Sequence, residues 1–174
     1  DWDRQGLPNK DWEALLSVAK QRAIAAGIYS YPFPKEHGGR NGSNLGMAII
    51  REYLAAKGLG LHNDLQNEHS VVGNNIGLLL MLEYGTPEQQ AAWLPGLKTA
   101  TQGFAFGITE PDHGSDALSI ETTCRKEGDE WILNGTKAWI TNGSRAGTII
   151  TFATMDPALR SKGINAFVVD PSIC

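Results

Sequence analysis

The sequence predicts an α+β chain. It reads as an N-terminal all-α helical domain over residues 1–100, followed by an antiparallel, barrel-like β middle domain over residues 101–174 that is present only in part. Three observations predict this. Through the first hundred positions apolar residues recur at three- and four-residue steps, in runs opened by capping residues. Near residue 101 the period drops to two, where Phe104, Phe106 and Ile108 alternate with small residues. Asn134-Gly135 then sits inside EWILNGTKAWITNG as a strong short-range hairpin signal. Helices first and strands afterwards suit an α+β fold built as two layers or two domains.

The elements follow in order. Asn9 caps a first helix whose stripe is Trp12, Leu15, Leu16, Ala19, Ala23 and Ala26, with Gly27 just past its end. The loop YPFPKEHGGRNG follows. Ser43 caps a second helix, with Met47, Ile50 and Leu54 on its apolar side. A third helix is predicted over Val71 to Tyr84 and closed by Gly85. Its run LLLML is apolar all round and should be central. Thr86-Pro87-Glu88-Gln89 is a capping box with proline at the first helical position, and Pro95 is expected to keep that helix short. In the second half, strands are predicted around Phe104 to Ile108, on both sides of Asn134-Gly135, over Thr148 to Thr154 and over Ile164 to Asp170. The chain stops four residues after that last strand, so it reads as part of something longer.

Composition narrows the function classes. The 174 residues are 41% apolar and 20% charged, an ordinary globular balance. The net charge of −4, with no basic block, argues against nucleic acid as a partner. Cys124 and Cys174 fit neither a disulfide scaffold nor a metal spacing, which points to an intracellular, reducing compartment. Of the four histidines, His62 and His69 could share a helix face, but no cysteine or carboxylate spacing makes them zinc ligands, and no metal is expected. No stretch reaches the roughly 18 apolar residues of a membrane helix.

Two clusters could carry chemistry. In FAFGITEPDHGSD an apolar strand runs into Thr109 and Glu110, is stopped by Pro111, and turns through Gly114, Ser115 and Asp116. Gly114 allows a backbone conformation closed to other residues, and the N–H groups of such a turn can converge on an anion. Taken alone, this is also how an ordinary strand ends. The second cluster is Asn134-Gly135, Lys137, Trp139, Ile140, Thr141, Asn142 and Gly143. On a strand, Trp139 and Thr141 would share one face, where an indole and a hydroxyl can flank a flat heteroaromatic ring. Alone, this is also a core tryptophan beside a β-forming threonine.

Together, T-E-P-x-x-G-S-D followed by N-G-x-K-x-W-I-T-N-G resembles the acyl-CoA dehydrogenase family. YGTPEQQAAWLPGL and FPKEHGG resemble further segments of it, so the resemblance runs from about Ile28 to Asp170. It implies FAD bound between the domains. It also implies dehydrogenation of an acyl-CoA thioester, in which a carboxylate takes the α proton and flavin N5 takes the β hydride. Phe106, Ile108 and Thr109 would line the flavin, with Thr109 donating to its pyrimidine end. Ser115 would reach the FAD pyrophosphate and lie near the acyl-CoA substrate. Trp139 would lie against the isoalloxazine and Thr141 would hydrogen-bond near N5, while Gly114 and Ile140 complete the cofactor set.

The resemblance further implies fatty acid metabolism, an electron acceptor such as an electron-transfer flavoprotein, and a homodimer or homotetramer. The family's catalytic glutamate comes from a C-terminal helical region, so Glu110 is not promoted to general base and residues 1–174 alone are expected to be inactive. His113 departs from the pattern, which usually has a small residue there; this bears on loop shape and acyl specificity. An acyl-CoA oxidase or a flavin monooxygenase on the same fold is the close rival. A non-enzymatic flavin-fold interaction module is the rival of another class, and the intact Thr109, Ser115, Trp139 and Thr141 argue against it.

Overall fold

A computed structural model of the chain describes residues 9–58, 76–144 and 146–173. His62, His69, Cys174 and the first five residues of the third predicted helix lie outside them. The chain divides into two compact units, residues 1–101 and residues 102–174.

The first unit is helical: α1 (Lys10–Ala25), α2 (Asn44–Ala56), α3 (Ile76–Tyr84) and α4 (Pro87–Lys98). The predicted caps form. Asn9, Ser43 and Thr86 accept from the backbone N–H groups of Trp12, Gly46 and Gln89, and Gln89 reciprocates to Thr86. At the end of α1, Gly27 and Ile28 donate to Ile24 and Ala23 with 2.9 Å bonds, which satisfies two of the last carbonyls. Phe33, Met47, Leu78, Met81, Leu94 and Leu97 are among its buried apolar residues.

Two expectations for these helices need correction. First, α4 runs through Pro95 instead of stopping before it. A proline removes its own N–H and crowds the carbonyl four residues back, a loss confined to one turn. Here burial of Leu94 and Leu97 on either side, and a 3.1 Å bond from the Tyr29 hydroxyl to the Leu97 carbonyl, offset that loss. Second, α3 is central on one face only. Leu78 is 0% exposed, but Ile76 is 52% exposed and Tyr84 also faces outward. An all-round apolar run does not say which of its faces find neighbours.

The second unit is a sheet of five strands: β1 (Phe104–Gly107), β2 (Thr123–Glu127), β3 (Glu130–Asn134), β4 (Thr148–Thr154) and β5 (Ile164–Val169). β4 organises it. β5 runs antiparallel along one edge, from Ile149↔Val169 to Thr154↔Ile164. On the other edge β1 pairs in parallel over Thr148 to Thr151, and β2 joins in parallel at Thr123↔Thr154. The sheet is therefore mixed, not antiparallel. The long excursion between β1 and β4 is what permits parallel pairing. Among the described residues the sheet does not close, because β3 has β2 as its one partner, so it is not a barrel.

The hairpin is also displaced. It joins β2 and β3 through Gly128-Asp129, with Gly128 at φ 60°, and Asn134-Gly135 is not its turn. Gly135 serves a different need: a Cβ there would lie 2.6 Å from the Thr122 Cα. Glycine is required by close approach of two backbones, which a local turn signal cannot distinguish from a turn.

This topology positions the site. β1 leaves the sheet opposite Thr151, and β2 enters it opposite Thr154. Everything from Ile108 to Thr122 loops out of the sheet across that short gap.

Candidate functional site

A buried carboxylate holds this excursion in place. Glu110 is 5% exposed. Its Oε2 accepts from the Glu121 N–H at 2.6 Å, and its Oε1 accepts from the Thr122 N–H at 2.9 Å and from Lys137 Nζ at 2.8 Å. Lys137 also donates to the Ile108 carbonyl at 3.1 Å, and the Ala138 N–H donates to the Thr109 carbonyl at 2.9 Å. The two clusters, 27 residues apart at Glu110 and Lys137, are thus locked together at their bases.

Burial by itself pushes the Glu110 carboxyl up. The Glu121 N–H, the Lys137 ammonium and Thr122 outweigh it and bring the pKa down from 4.5 to about 2. Glu110 is therefore ionised at neutral pH, with both oxygens occupied by donors. A group so stabilised as an anion is a poor proton acceptor, consistent with withholding the role of general base from it.

Beyond Glu110 the chain turns tightly. Glu110 N–H donates to the His113 carbonyl at 2.9 Å, and His113 N–H returns a 3.3 Å bond to Glu110. The His113 ring reaches toward Glu121, Nε2 to Oε1 3.4 Å. Gly114 and Ser115 are exposed. The left-handed backbone expected at Gly114 is not found; what distinguishes it is open space, since a Cβ there would meet nothing within 4 Å.

The second cluster differs more from expectation. Residues 135–144 form no strand. The chain instead makes a turn, with Gly143 N–H donating to the Ile140 carbonyl at 3.0 Å and Ala146 N–H to the Asn142 carbonyl at 2.8 Å. Trp139 and Thr141 therefore do not share a strand face. Trp139 adopts φ 58° and Asn142 φ 62°, the left-handed region that a bulky side chain normally avoids. Trp139 is 90% exposed, so no core contact explains the strain. β-forming residues alone do not make a strand; pairing with a neighbouring strand decides it.

Each predicted residue can now be placed. Phe106 pairs with Ile150 on β1 and is half-buried; Ile108, Thr109 and Ile140 are also half-buried. Thr141 is exposed beside Trp139. Among the described residues, the hydroxyls of Thr109, Ser115 and Thr141 have no hydrogen-bond partner. The chain thus presents an uncovered indole, free hydroxyl donors and an open glycine on a clamped base. That donor set fits a flat, hydrogen-bonding ring with an anionic tail. No group of metal-binding side chains occurs among the described residues. Sequence reasoning missed the clasp itself. Glu110 and Lys137 both stood in the motifs, but nothing local to either tells that they meet.

The acyl-CoA dehydrogenase N-terminal domain matches residues 1–101, and the acyl-CoA dehydrogenase middle domain matches residues 105–173. The chain belongs to the acyl-CoA dehydrogenase family. The mitochondrial short-chain specific acyl-CoA dehydrogenase of Homo sapiens is 37% identical over 160 residues, covering 91% of this chain and 38% of that protein. Glutaryl-CoA dehydrogenase of Desulfococcus multivorans is 35% identical over 147 residues, covering 83% of this chain and 36% of that protein. The crystal structure of an acyl-CoA dehydrogenase from Geobacillus kaustophilus superposes with a TM-score of 0.64 at 32% identity, over 92% of this chain and 42% of that one. The chain thus spans well under half the length of these relatives. No helix among the described residues is long and apolar enough to cross a membrane.

Proposed function

We propose that the whole protein is an FAD-dependent acyl-CoA dehydrogenase, with residues 1–100 as its N-terminal domain and residues 101–174 as part of its flavin-binding domain. The flavin face is the cluster Phe106, Ile108, Thr109, Gly114, Ser115, Trp139, Ile140 and Thr141. One observation carries this reading: an indole 90% exposed on strained backbone, one residue from the amide that clamps the two motifs together. A large aromatic held out this way is explained by a flat ring that covers it.

FAD bound there would accept hydride from the β carbon of an acyl-CoA thioester. The chain's own residues bind and orient. The Thr109 and Thr141 hydroxyls would donate to edge atoms of the ring. Gly114 lets the backbone come close to the pyrophosphate, and Ser115 adds a hydroxyl beside it and near the thioester. Glu110 and Lys137 keep both segments in register without touching the ligand. Because Glu110 is fully engaged, the group that takes the α proton lies elsewhere, and residues 1–174 alone should show no turnover. An electron-transfer flavoprotein as acceptor and a homodimer or homotetramer complete the proposal.

The test is flavin titration of the full-length protein. Noncovalent FAD binding with a protein-linked flavin spectrum is expected, and reduction on adding acyl-CoA should follow. A protein that stays colourless after incubation with FAD would overturn the reading.

A further inference from the structure

The β4–β5 connection carries a second strained residue. Its short 3₁₀ segment, Pro157–Lys162, is capped by Asp156, whose side chain accepts from the Ala158 N–H at 2.9 Å, and it is closed by a 3.0 Å bond from Met155 N–H to the Gly163 carbonyl. Inside it Arg160 sits at φ 48°, ψ −126°, a backbone region that side chains other than glycine occupy only under strain. The guanidinium reaches back across 44 residues of sequence, where Nη2 lies 3.4 Å from Asp116 Oδ1. Nη1 lies 3.3 Å from the Ser119 hydroxyl, which donates to Asp116 Oδ2 at 2.6 Å. Both oxygens of Asp116 are therefore held, Oδ2 by Ser119 of its own turn and Oδ1 from outside it by Arg160.

Asp116 directly follows Ser115, whose hydroxyl has no partner among the described residues. The Gly114-Ser115-Asp116 turn is thus anchored at Asp116 and left open at Ser115. The Ser119 bond, with the Arg160 charge and the His113 ring behind it, holds the Asp116 carboxyl below its ordinary range. Stability does not account for this arrangement. Arg160 and Asp116 are both more than half exposed, and exposed pairs contribute little to folding. A strained backbone directed at a solvent-exposed pair is better explained by what the pair positions.

We infer that Arg160 is a positioning residue: through Asp116 and Ser119 it sets the Gly114-Ser115 turn in the orientation that receives the pyrophosphate of FAD and the acyl-CoA. This rests on the proposed function.

The test uses the full-length protein and four variants: Arg160→Gly, Arg160→Lys, Asp116→Asn, and Arg160→Gly combined with Asp116→Asn. Thermal unfolding, FAD affinity, and KM and kcat for acyl-CoA are measured on each. Glycine relieves the strain, so Arg160→Gly should leave Tm unchanged or raise it. It should weaken FAD affinity or raise KM by roughly two- to fivefold, the scale of one exposed charge contact. Arg160→Lys should recover part of that loss. The double variant should be no worse than Asp116→Asn, because both act through one contact. An Arg160→Gly protein with unaltered FAD affinity and KM would overturn the inference, as would additive losses in the double variant. A wild-type protein that binds no flavin would overturn the proposed function itself, a result distinguishable from either.

Discussion

The Glu110–Lys137 clasp and the Trp139 turn lie two residues apart in sequence and are opposite in character. In the clasp both Glu110 oxygens and the Lys137 ammonium are paired, with bonds of 2.6 to 3.1 Å. In the turn the backbone is left-handed at Trp139 and Asn142, the indole is exposed, and the Thr141 hydroxyl has no hydrogen-bond partner among the described residues. The same motif thus contains a scaffold and a working face. Polar groups that serve the fold are satisfied within the fold; polar groups that serve a ligand are left open for it. Mutations on the two sides should therefore separate stability from binding.

The largest effect is expected at the clasp. Glu110→Gln keeps the shape but leaves Lys137 buried without a counter-charge, which should cost about 3–5 kcal/mol of folding stability. Urea unfolding measures this, and a loss below about 1 kcal/mol would place the pair's weight elsewhere. Acid should reproduce the effect without mutation. The folded pKa of Glu110 is lowered from 4.5 to about 2. Its stabilisation is therefore complete above about pH 4.5 and is lost as pH falls toward and through about 2. The difference corresponds to about 3 kcal/mol. The wild-type protein should lose stability across that window by more than Glu110→Gln does; parallel acid-unfolding curves for the two would contradict it.

Glycines sharpen the contrast. Gly135→Ala forces a methyl group onto Thr122 and should cost about 1–3 kcal/mol in stability. Gly114→Ala meets open space, so its stability change should stay within about 0.5 kcal/mol while FAD affinity falls. Equal Tm changes for the two would erase the distinction. The smallest effect belongs to Thr141→Val, which removes one donor and should weaken flavin binding by roughly 0.5–1.5 kcal/mol without altering folding. Unchanged flavin affinity would mean that Thr141 does not face the ring.

The same division explains what the sequence discloses. Helix caps at Asn9, Ser43 and Thr86 are legible because each is settled within three residues of itself. β4 and β5 are legible from their β-branched runs. β2 was not foreseen, because TCRKE buries little beyond Cys124 and has no apolar alternation. Pro95 and Gly135 mislead for one reason: their role is decided by distant neighbours, Tyr29 in one case and Thr122 in the other. Within the site, the motif residues could be named from the sequence, but their conformation could not. Trp139 and Thr141 are β-formers that lie on no strand, next to a clasp whose two halves lie 27 residues apart.

The central claim is that the Trp139 turn is a binding face carried by a separate scaffold. Flavin titration of Trp139→Ala in the full-length protein tests it most directly. The account predicts FAD affinity reduced roughly three- to tenfold, the scale of one aromatic stacking contact, with thermal stability of the flavin-free protein unchanged, because the indole is exposed and alanine keeps the Cβ that strains the left-handed backbone. Undiminished FAD affinity, or a stability loss comparable to that of Glu110→Gln, would contradict it.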